Sequence, residues 1–271
     1  MVHRRLAALV LLSGVLVLAG ACGGHGGRAP ASWRTPGPAS GGGGGGSVID
    51  PSPAPGALES AGAAPSSPAP VDGVLRTTAS SGVALTFDDG PSPDYTPQIL
   101  DLLRTYGVKA TFCVIGVNVR SHPDLVRAIV RDGHTLCNHT WAHDLNLGRR
   151  SAEEIRSDLE RTNDEIHLAV PGAPITYFRH PGGNFTPAAV KIARELGMAS
   201  IGWTVDPRDW DTGRQGPALT GRIVTVVERC TAPGAIVLSH DGGGDRRWTV
   251  EAYRTLLPWL SERFTLIALP A

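Results

Sequence analysis

The chain has 271 residues, and its 25 basic and 25 acidic side chains give a formal net charge of zero at pH 7. This balance argues against nucleic-acid binding through a basic face and against a polybasic membrane patch. Glycine, proline, alanine and serine supply 38 of the 48 residues from 23 to 70, whereas the chain behind them has an ordinary globular composition. We therefore predict one folded domain of roughly 200 residues behind a segment that does not fold.

Residues 1–22 are typical of an export signal. A short basic region precedes an apolar stretch, 6–18, that is too short to span a bilayer comfortably. Cys22 follows small residues and resembles the lipidated cysteine of a bacterial lipobox, although Ala19 stands where leucine is more usual. We expect an exported lipoprotein on the extracellular face of the cell membrane, and an ordinary secreted protein is the alternative.

Residues 23–72 predict a disordered linker because they cannot bury enough apolar surface to offset the entropy of ordering. As a coil of about 50 residues, the linker has a root-mean-square reach of roughly 40 Å. Such a tether suits a catalytic domain that must reach a polymer, and it suits a tethered binding module equally well. The folded domain is expected at 73–271.

From residue 73 the chain alternates predicted strands and helices. Ser151, with Glu154 three residues later, forms the capping box that opens a helix. This alternation predicts an α/β fold with parallel strands and helices outside. In chain order, the sequence predicts strand 83–87, helix 96–106, strand 110–115, helix 123–132, strand 134–138, a helix from 151, strand 176–178, helix 187–196, strand 199–204, helix 218–229, strand 235–239, helix 249–264 and strand 265–269.

Side chains capable of chemistry follow the carboxyl ends of the predicted strands. In a parallel β/α barrel this edge carries the active site. We therefore predict that these side chains converge on one face. They are Asp88, Asp89, His139, His143, Arg179, Asp206, Asp209, His240 and Asp241.

His139 and His143 are spaced i, i+4, so on a helical turn both imidazoles point the same way and can hold one cation. Alone, such a pair is more often a pair of solvated or core residues. Asp89 supplies an anionic third ligand, and a set of two histidines and one carboxylate leaves a position open for water. Neighbouring strand residues point to opposite faces, so Asp88 and Asp89 are expected to have different roles. If Asp89 binds the metal, Asp88 can accept a proton. The alternative is that the two carboxylates only cap a turn.

Five segments with reactive side chains occur in order along the chain: 86–91 (TFDDGP), 139–143 (HTWAH), 179–183 (RHPGG), 206–210 (DPRDW) and 238–241 (LSHD). Together they resemble the five motifs of the polysaccharide deacetylases, carbohydrate esterase family 4. The resemblance covers about residues 82–271. It implies a distorted (β/α) barrel of about seven parallel strands and metal-dependent removal of acetyl groups from a glycan.

The resemblance also implies the chemical roles. Asp88 is the general base for the attacking water, and Arg179 holds it in place. His240 protonates the leaving group, and Asp209 raises the pKa of His240. The implied ligands of Zn²⁺, or of another divalent ion such as Co²⁺, Ni²⁺ or Mn²⁺, are Asp89, His139 and His143.

The residues implied for the substrate are Trp210 and Leu238, which line the acetyl pocket, and Gly182, whose backbone N–H faces the oxyanion. Gly182 stands where many relatives carry an aromatic residue, which leaves the donor intact but removes a sugar platform. His180 and Trp141 are interpreted as pocket packing, and Asp206 as a cap or a catalytic carboxylate.

If the lipid occupies Cys22, three cysteines are left. Cys113 and Cys137 lie on adjacent predicted strands at positions where the family more often has an aromatic residue and a glycine. This pair suggests a disulfide, and two separately buried thiols are the alternative. We expect Cys230 to be a buried free thiol.

The leading functional hypothesis is N-deacetylation of N-acetylhexosamine in peptidoglycan or chitin-like glycans. An O-acetyl esterase on acetylated xylan is the alternative enzyme, because the same residues can cleave either bond. The alternative of another class is an inactive glycan-binding module. We expect an acetylated polysaccharide as the partner, no nucleic acid, membrane contact only through the lipid anchor, and a monomer.

Overall fold

The computed structural model describes residues 72–271 except Thr212 and Arg214. The predicted signal, the lipidation of Cys22 and most of the predicted linker lie outside the described residues. Within the described part, no helix is both long and apolar enough to cross a membrane.

Strands and helices alternate through the domain, as the sequence predicts. The strands are Val74–Leu75 (β1), Val83–Asp88 (β2), Thr111–Val114 (β3), Thr135–Asn138 (β4), Tyr177–Phe178 (β5), Ala199–Ile201 (β6), Ile236–His240 (β7) and Leu266–Ile267 (β8). The helices are Thr96–Thr105 (α1), Gly116–Ser121 (α2), Pro123–Arg131 (α3), Ala152–Ala169 (α4), Pro187–Glu195 (α5), Pro217–Cys230 (α6) and Arg247–Arg263 (α7).

The strands form one parallel sheet in the order β1-β6-β5-β4-β3-β2-β7, with β8 paired to β2. The sheet closes where Val205, on the segment after β6, bridges to Val237 of β7 in the parallel sense. The predicted distorted barrel is therefore confirmed, and seven of its strands coincide with the seven predicted ones. The eighth, β1, has only two residues, too few to show a period.

Alternation along β2 divides its side chains between the barrel interior and the helix layer. Ala84 packs with interior residues of neighbouring strands, whereas Leu85 and Phe87 belong to the larger core beneath the helices. Full burial of each such large apolar side chain contributes about 1.5–3 kcal/mol. Because Ala84, Thr86 and Asp88 share one face, the buried pattern directs the Asp88 carboxylate into the barrel mouth.

Local signals fix several helix ends. The capping box at Ser151 is present, since its hydroxyl accepts from the Glu154 amide at 3.2 Å and its own amide donates to that glutamate at 2.9 Å. The unpredicted helix α2 begins at Gly116, where a Cβ would lie 2.4 Å from Trp141. A glycine is therefore required where α2 meets the motif loop.

Cys113 and Cys137 are register partners on β3 and β4 and are joined by a disulfide in the barrel interior. Cys230 is also disulfide-bonded. The prediction of a buried free thiol at Cys230 is therefore wrong, and the residue lies half-buried at the end of α6.

Candidate active site

Three side chains at the barrel mouth bring their ligand atoms together. Asp89 Oδ1 lies 3.3 Å from Nε2 of His139 and 3.3 Å from Nε2 of His143. One ligand atom from each residue lies within 4.8 Å of the others. Asp89 Oδ1 is buried and receives no hydrogen bond from any described residue. A buried carboxylate oxygen that has no donor and faces two imidazole nitrogens fits a divalent cation.

A left-handed backbone at Asp89 lets two adjacent carboxylates face one site. Asp88 ends β2 in extended conformation, whereas Asp89 has φ 71°. This turn supplies the change of direction that alternation alone would forbid, and Asp88 Oδ2 lies 3.7 Å from His139 Nε2. Behind the turn, a Cβ on Gly243 would lie 2.3 Å from Asp89 Oδ2, so Gly243 allows the close approach.

The segment 139–143 is a loop, so the predicted helical turn is wrong. Thr140 and His143 have φ values of 69° and 56°, and these left-handed conformations replace a helical turn. The loop is held from outside, because the amides of Gly116 and Val117 donate to the Thr140 and Trp141 carbonyls at 3.0 and 2.9 Å. Both imidazoles nevertheless reach Asp89.

Hydrogen bonds and ring contacts orient this loop further. His139 Nδ1 lies 2.7 Å from the Arg179 carbonyl, and donation to that oxygen presents Nε2 to the cation position. The guanidiniums of Arg120 and Arg161 lie 4.6 and 3.6 Å from the Trp141 ring centroid. The Trp141 amide donates to Asp158 at 2.8 Å. Trp141 is therefore a packing residue that fixes the loop.

Arg179 is fully buried and binds Asp88. Its Nη1 donates to Asp88 Oδ1 at 2.7 Å and to Thr86 Oγ1 at 2.8 Å, and Nη2 donates to the Gly202 carbonyl at 3.1 Å. Thr86 in turn donates to the Val237 carbonyl at 2.7 Å. The guanidinium therefore holds one oxygen of Asp88 and leaves Oδ2 facing His139.

His240 and Asp209 form a second buried pair. His240 Nδ1 lies 2.7 Å from Asp209 Oδ1, and Oδ2 accepts from the His240 amide and from Thr249 at 2.9 Å each. Burial lowers the pKa of His240, but the Asp209 carboxylate outweighs it and raises that pKa to about 9. His240 is therefore protonated at neutral pH, as a general acid must be.

Electrostatics distinguishes the three candidate ligand residues. Burial raises the pKa of Asp89, yet the neighbouring His143, His139 and His240 hold it well below its usual range. Burial lowers the pKa of His139, but Asp88 and Asp89 outweigh it and raise that pKa. Burial keeps the pKa of His143 below its ordinary value. The site thus holds an ionised carboxylate that attracts cations.

The three residues predicted to contact the substrate have different surroundings from one another. Leu238 is buried on β7, two positions before His240 and therefore on the same strand face. Trp210 packs against Arg208, whose guanidinium lies 4.7 Å from its ring. Gly182 is exposed with φ 62°. Among the described residues, no hydrogen bond or ring contact joins Trp210 or Gly182 to the ligand set.

Two residues interpreted from the sequence as supporting have simple structural roles. Asp206 accepts from the Arg208 amide at 2.7 Å and so stabilises a loop turn. His180 accepts from the Gly148 amide at 3.0 Å, and burial lowers its pKa to about 4, so it is neutral.

Two supporting residues were not predicted from the sequence. Thr86 is a partner of Arg179, and alternation places it on the face of Asp88. Asp241 is buried, and its Oδ2 accepts from Thr96 at 2.5 Å. A Cβ on Gly90 would lie 2.4 Å from this carboxylate, so Asp241 supports the turn after the two aspartates. The glycines that follow Asp241 were a signal of close backbone packing at this turn, since a Cβ on Gly242 would lie 2.1 Å from the Asp89 carbonyl oxygen.

An α/β barrel whose mouth carries these three candidate ligands, a second carboxylate and a protonated histidine paired with a buried aspartate defines a class of protein. That class is a hydrolase with a candidate metal centre. A family model described as Polysaccharide deacetylase matches residues 76–201. The chain is 39% identical over 214 residues to a chitooligosaccharide deacetylase of Sinorhizobium fredii, covering 72% of this chain and 96% of the relative.

It is also 40% identical over 183 residues to a peptidoglycan-N-acetylglucosamine deacetylase of Bacillus cereus, covering 67% of this chain and 82% of the relative. The crystal structure of a carbohydrate esterase family 4 pseudoenzyme from Bacillus anthracis superposes with a TM-score of 0.62 at 33% identity, covering 70% of this chain and 63% of that one. The chain belongs to the polysaccharide deacetylase family, and it is a polysaccharide deacetylase.

Proposed function

We propose that this enzyme is a metal-dependent N-deacetylase that acts on N-acetylhexosamine units of peptidoglycan or of a chitin-like glycan. Zn²⁺, or Co²⁺, Ni²⁺ or Mn²⁺ in its place, would be held by Asp89, His139 and His143. The observation that carries the proposal is the unpartnered, buried Asp89 Oδ1 at 3.3 Å from two imidazole nitrogens. The relatives named as deacetylases of chitooligosaccharides and peptidoglycan support this substrate class.

The bound cation would polarise the acetyl carbonyl and lower the pKa of water. Asp88 accepts the proton of the attacking water through Oδ2, because Arg179 occupies Oδ1. His240 donates its proton to the departing amine, since Asp209 keeps the imidazolium charged. The products are acetate and a free amino sugar. The Gly182 N–H is proposed as an oxyanion donor, and Trp210 and Leu238 as walls for the acetyl methyl.

Acetate release tests the proposal on peptidoglycan, chitin oligomers and acetylxylan side by side. We expect release from the two N-acetylated glycans, and loss of release when a chelator removes the metal. Release from acetylxylan alone would establish the O-acetyl esterase instead. No release from any of the three by metal-loaded protein would overturn the proposal and favour an inactive glycan-binding module.

Asp88→Asn ties the activity to this site. The substituted amide keeps the shape of the side chain but cannot accept a proton, so we expect turnover to fall by about 10²–10⁴-fold, the usual contribution of a general base. Metal content, measured by elemental analysis, should match wild type because Asp88 is outside the ligand set. Turnover close to wild type would exclude Asp88 as the base.

We also propose that the enzyme is an exported lipoprotein, lipidated at Cys22 and tethered as a monomer by residues 23–72. Lipidation and a disulfide with Cys230 exclude each other at Cys22, because each uses the same sulfur. The support is the order of basic region, short apolar stretch and cysteine in the sequence. Cys22→Ala should move the protein from the membrane fraction to the medium. Retention of the variant in the membrane fraction would contradict lipid anchoring at this cysteine.

A further inference from the structure

Two cavities flank the loop that carries His143. The first has a volume of about 390 Å³ and is bounded by Asp89 and His143 of the ligand set. The second, of about 720 Å³, lies between the loop and α4. Ala142 is exposed and borders both cavities. At this point the two cavities share a lining residue whose side chain is a single methyl group.

The second cavity presents polar side chains that form no hydrogen bond or ion pair with described residues. Two of them are the side chains of Glu153 and Ser157 of α4. Arg161 contacts the Trp141 ring but has no described carboxylate within ion-pair distance. A carboxylate, a hydroxyl and a guanidinium together supply the acceptors and donors that bind sugar hydroxyls and acetamido groups.

The charge of this cavity limits what it can take. Four carboxylates line it against two guanidiniums, and Arg150 is already paired with Asp144 at 2.6 Å. A polyanionic polymer would be repelled by this excess of negative charge. A neutral glycan would not be repelled, and the volume lies within the range of about 300–1,000 Å³ that ligand pockets occupy.

We infer that a neutral N-acetylhexosamine chain crosses the loop at Ala142, with the reacting unit at the ligand set and further units in the cavity along α4. This inference rests on the proposed function and extends it from a reaction to a substrate length. The enzyme therefore acts on chains that fill both cavities in preference to a disaccharide.

The test compares acetate release from N-acetylglucosamine oligomers of two and six units. In the wild type, kcat/KM should be higher for the hexamer. Ser157→Trp and Glu153→Trp each place an indole in the second cavity, and each should lower the hexamer-to-dimer ratio of kcat/KM about tenfold. Ala188→Trp is the control, because Ala188 is exposed on α5 and borders neither cavity. Melting temperatures establish that the three variants fold.

Binding of the hexamer to the Asp88→Asn protein separates this inference from the proposed function. Calorimetry should show hexamer binding that Ser157→Trp, added to Asp88→Asn, weakens about tenfold, and this result supports the inference even where no acetate is released. Equal binding with and without the added tryptophan would overturn it. So would a hexamer-to-dimer ratio that neither tryptophan on α4 changes.

Discussion

Thr86 and Asp88 share one nitrogen of the Arg179 guanidinium. Nη1 donates one hydrogen bond to each, at 2.8 and 2.7 Å, and all three side chains are buried. The hydroxyl of Thr86 therefore helps to fix the direction in which Arg179 presents its charge. Thr86 is a positioning residue, because it reaches the proposed base only through the arginine.

Thr86→Val keeps the shape of the side chain but removes the acceptor. A buried N–H left without a partner costs about 1–3 kcal/mol, so the free energy of unfolding should fall by that amount. We expect kcat to fall more than KM rises, because Asp88 loses its orientation while substrate contacts persist. Urea unfolding and steady-state kinetics measure the two effects. Thr86→Ser restores the hydroxyl and should recover both, and a serine variant as impaired as the valine one would refute this role.

The pair of His240 and Asp209 predicts the alkaline side of the pH profile. A raised pKa of about 9 means that His240 is protonated below that pH and loses its proton above it, so kcat/KM should fall as the pH rises through about 9. Asp209→Asn removes the negative charge and leaves burial to lower the pKa of His240. The alkaline fall should then move down by at least about one pH unit.

Thr249→Val is the matched control for this pH effect. It removes one hydrogen bond to Asp209 Oδ2 but leaves the carboxylate charge in place. The alkaline fall should therefore stay near that of wild type. A profile displaced equally in Asp209→Asn and Thr249→Val would mean that hydrogen bonding, and not the charge of Asp209, sets the pKa of His240.

At the scale of elements, α2 and α4 together hold the loop that carries two of the proposed ligands. Arg161 of α4 stacks on Trp141 at 3.6 Å, and an interaction of this kind contributes about 0.5–2 kcal/mol. Arg161→Gln should therefore weaken metal binding, by about 30-fold at most, because no more than that energy keeps His139 and His143 in place. Competition with a chelating dye measures the affinity without reference to activity.

Arg194→Gln is the control for Arg161→Gln. Arg194 is exposed on the neighbouring helix α5, and its side chain forms no hydrogen bond or ion pair with described residues. Its substitution should leave the affinity for metal unchanged. Equal affinity in the two variants would show that stacking on Trp141 does not support the ligand loop.

Periodic and capping signals predicted most elements, and they failed where tertiary contacts decide the backbone. The helix from Ser151 follows from its capping box, which is a local interaction. The loop 139–143 was mistaken for a helical turn because its left-handed residues, Thr140 and His143, carry no local signal for that conformation. The amides of α2 that hold this loop are distant from it in sequence, so the spacing of residues within the loop could not reveal these hydrogen bonds.

At the scale of the whole molecule, the barrel explains why so much of the site could be predicted. Parallel strands bring their carboxyl ends to one edge, so residues that follow β2, β4 and β7 had to meet there. The structure places Asp89, His139 and His240 at that edge. The substrate side could not be predicted in this way, because Trp210 and Gly182 lie on loops whose course depends on packing rather than on strand order.

The disulfide between Cys113 and Cys137 joins β3 to β4 in the interior directly beneath the site, since Cys113 is the register partner of Asp88. A covalent link across a sequence separation of 24 residues restricts the unfolded chain and contributes about 2–4 kcal/mol. The double variant Cys113→Ala, Cys137→Ala should lose that much free energy of unfolding, measured with urea. Reductant would be the poorer test because Cys230 is also disulfide-bonded.

Ile236→Val is the matched control for the double cysteine variant, because it removes one methyl group from the same interior cluster and should cost only about 0.5–1.5 kcal/mol. Metal affinity should stay near wild type in the double variant, since the hydrogen bonds between β3 and β4 preserve the register that presents His139. If the double variant were no less stable than Ile236→Val, the disulfide would contribute little to the fold. A loss of metal binding with unchanged stability would instead mean that the link serves the site directly.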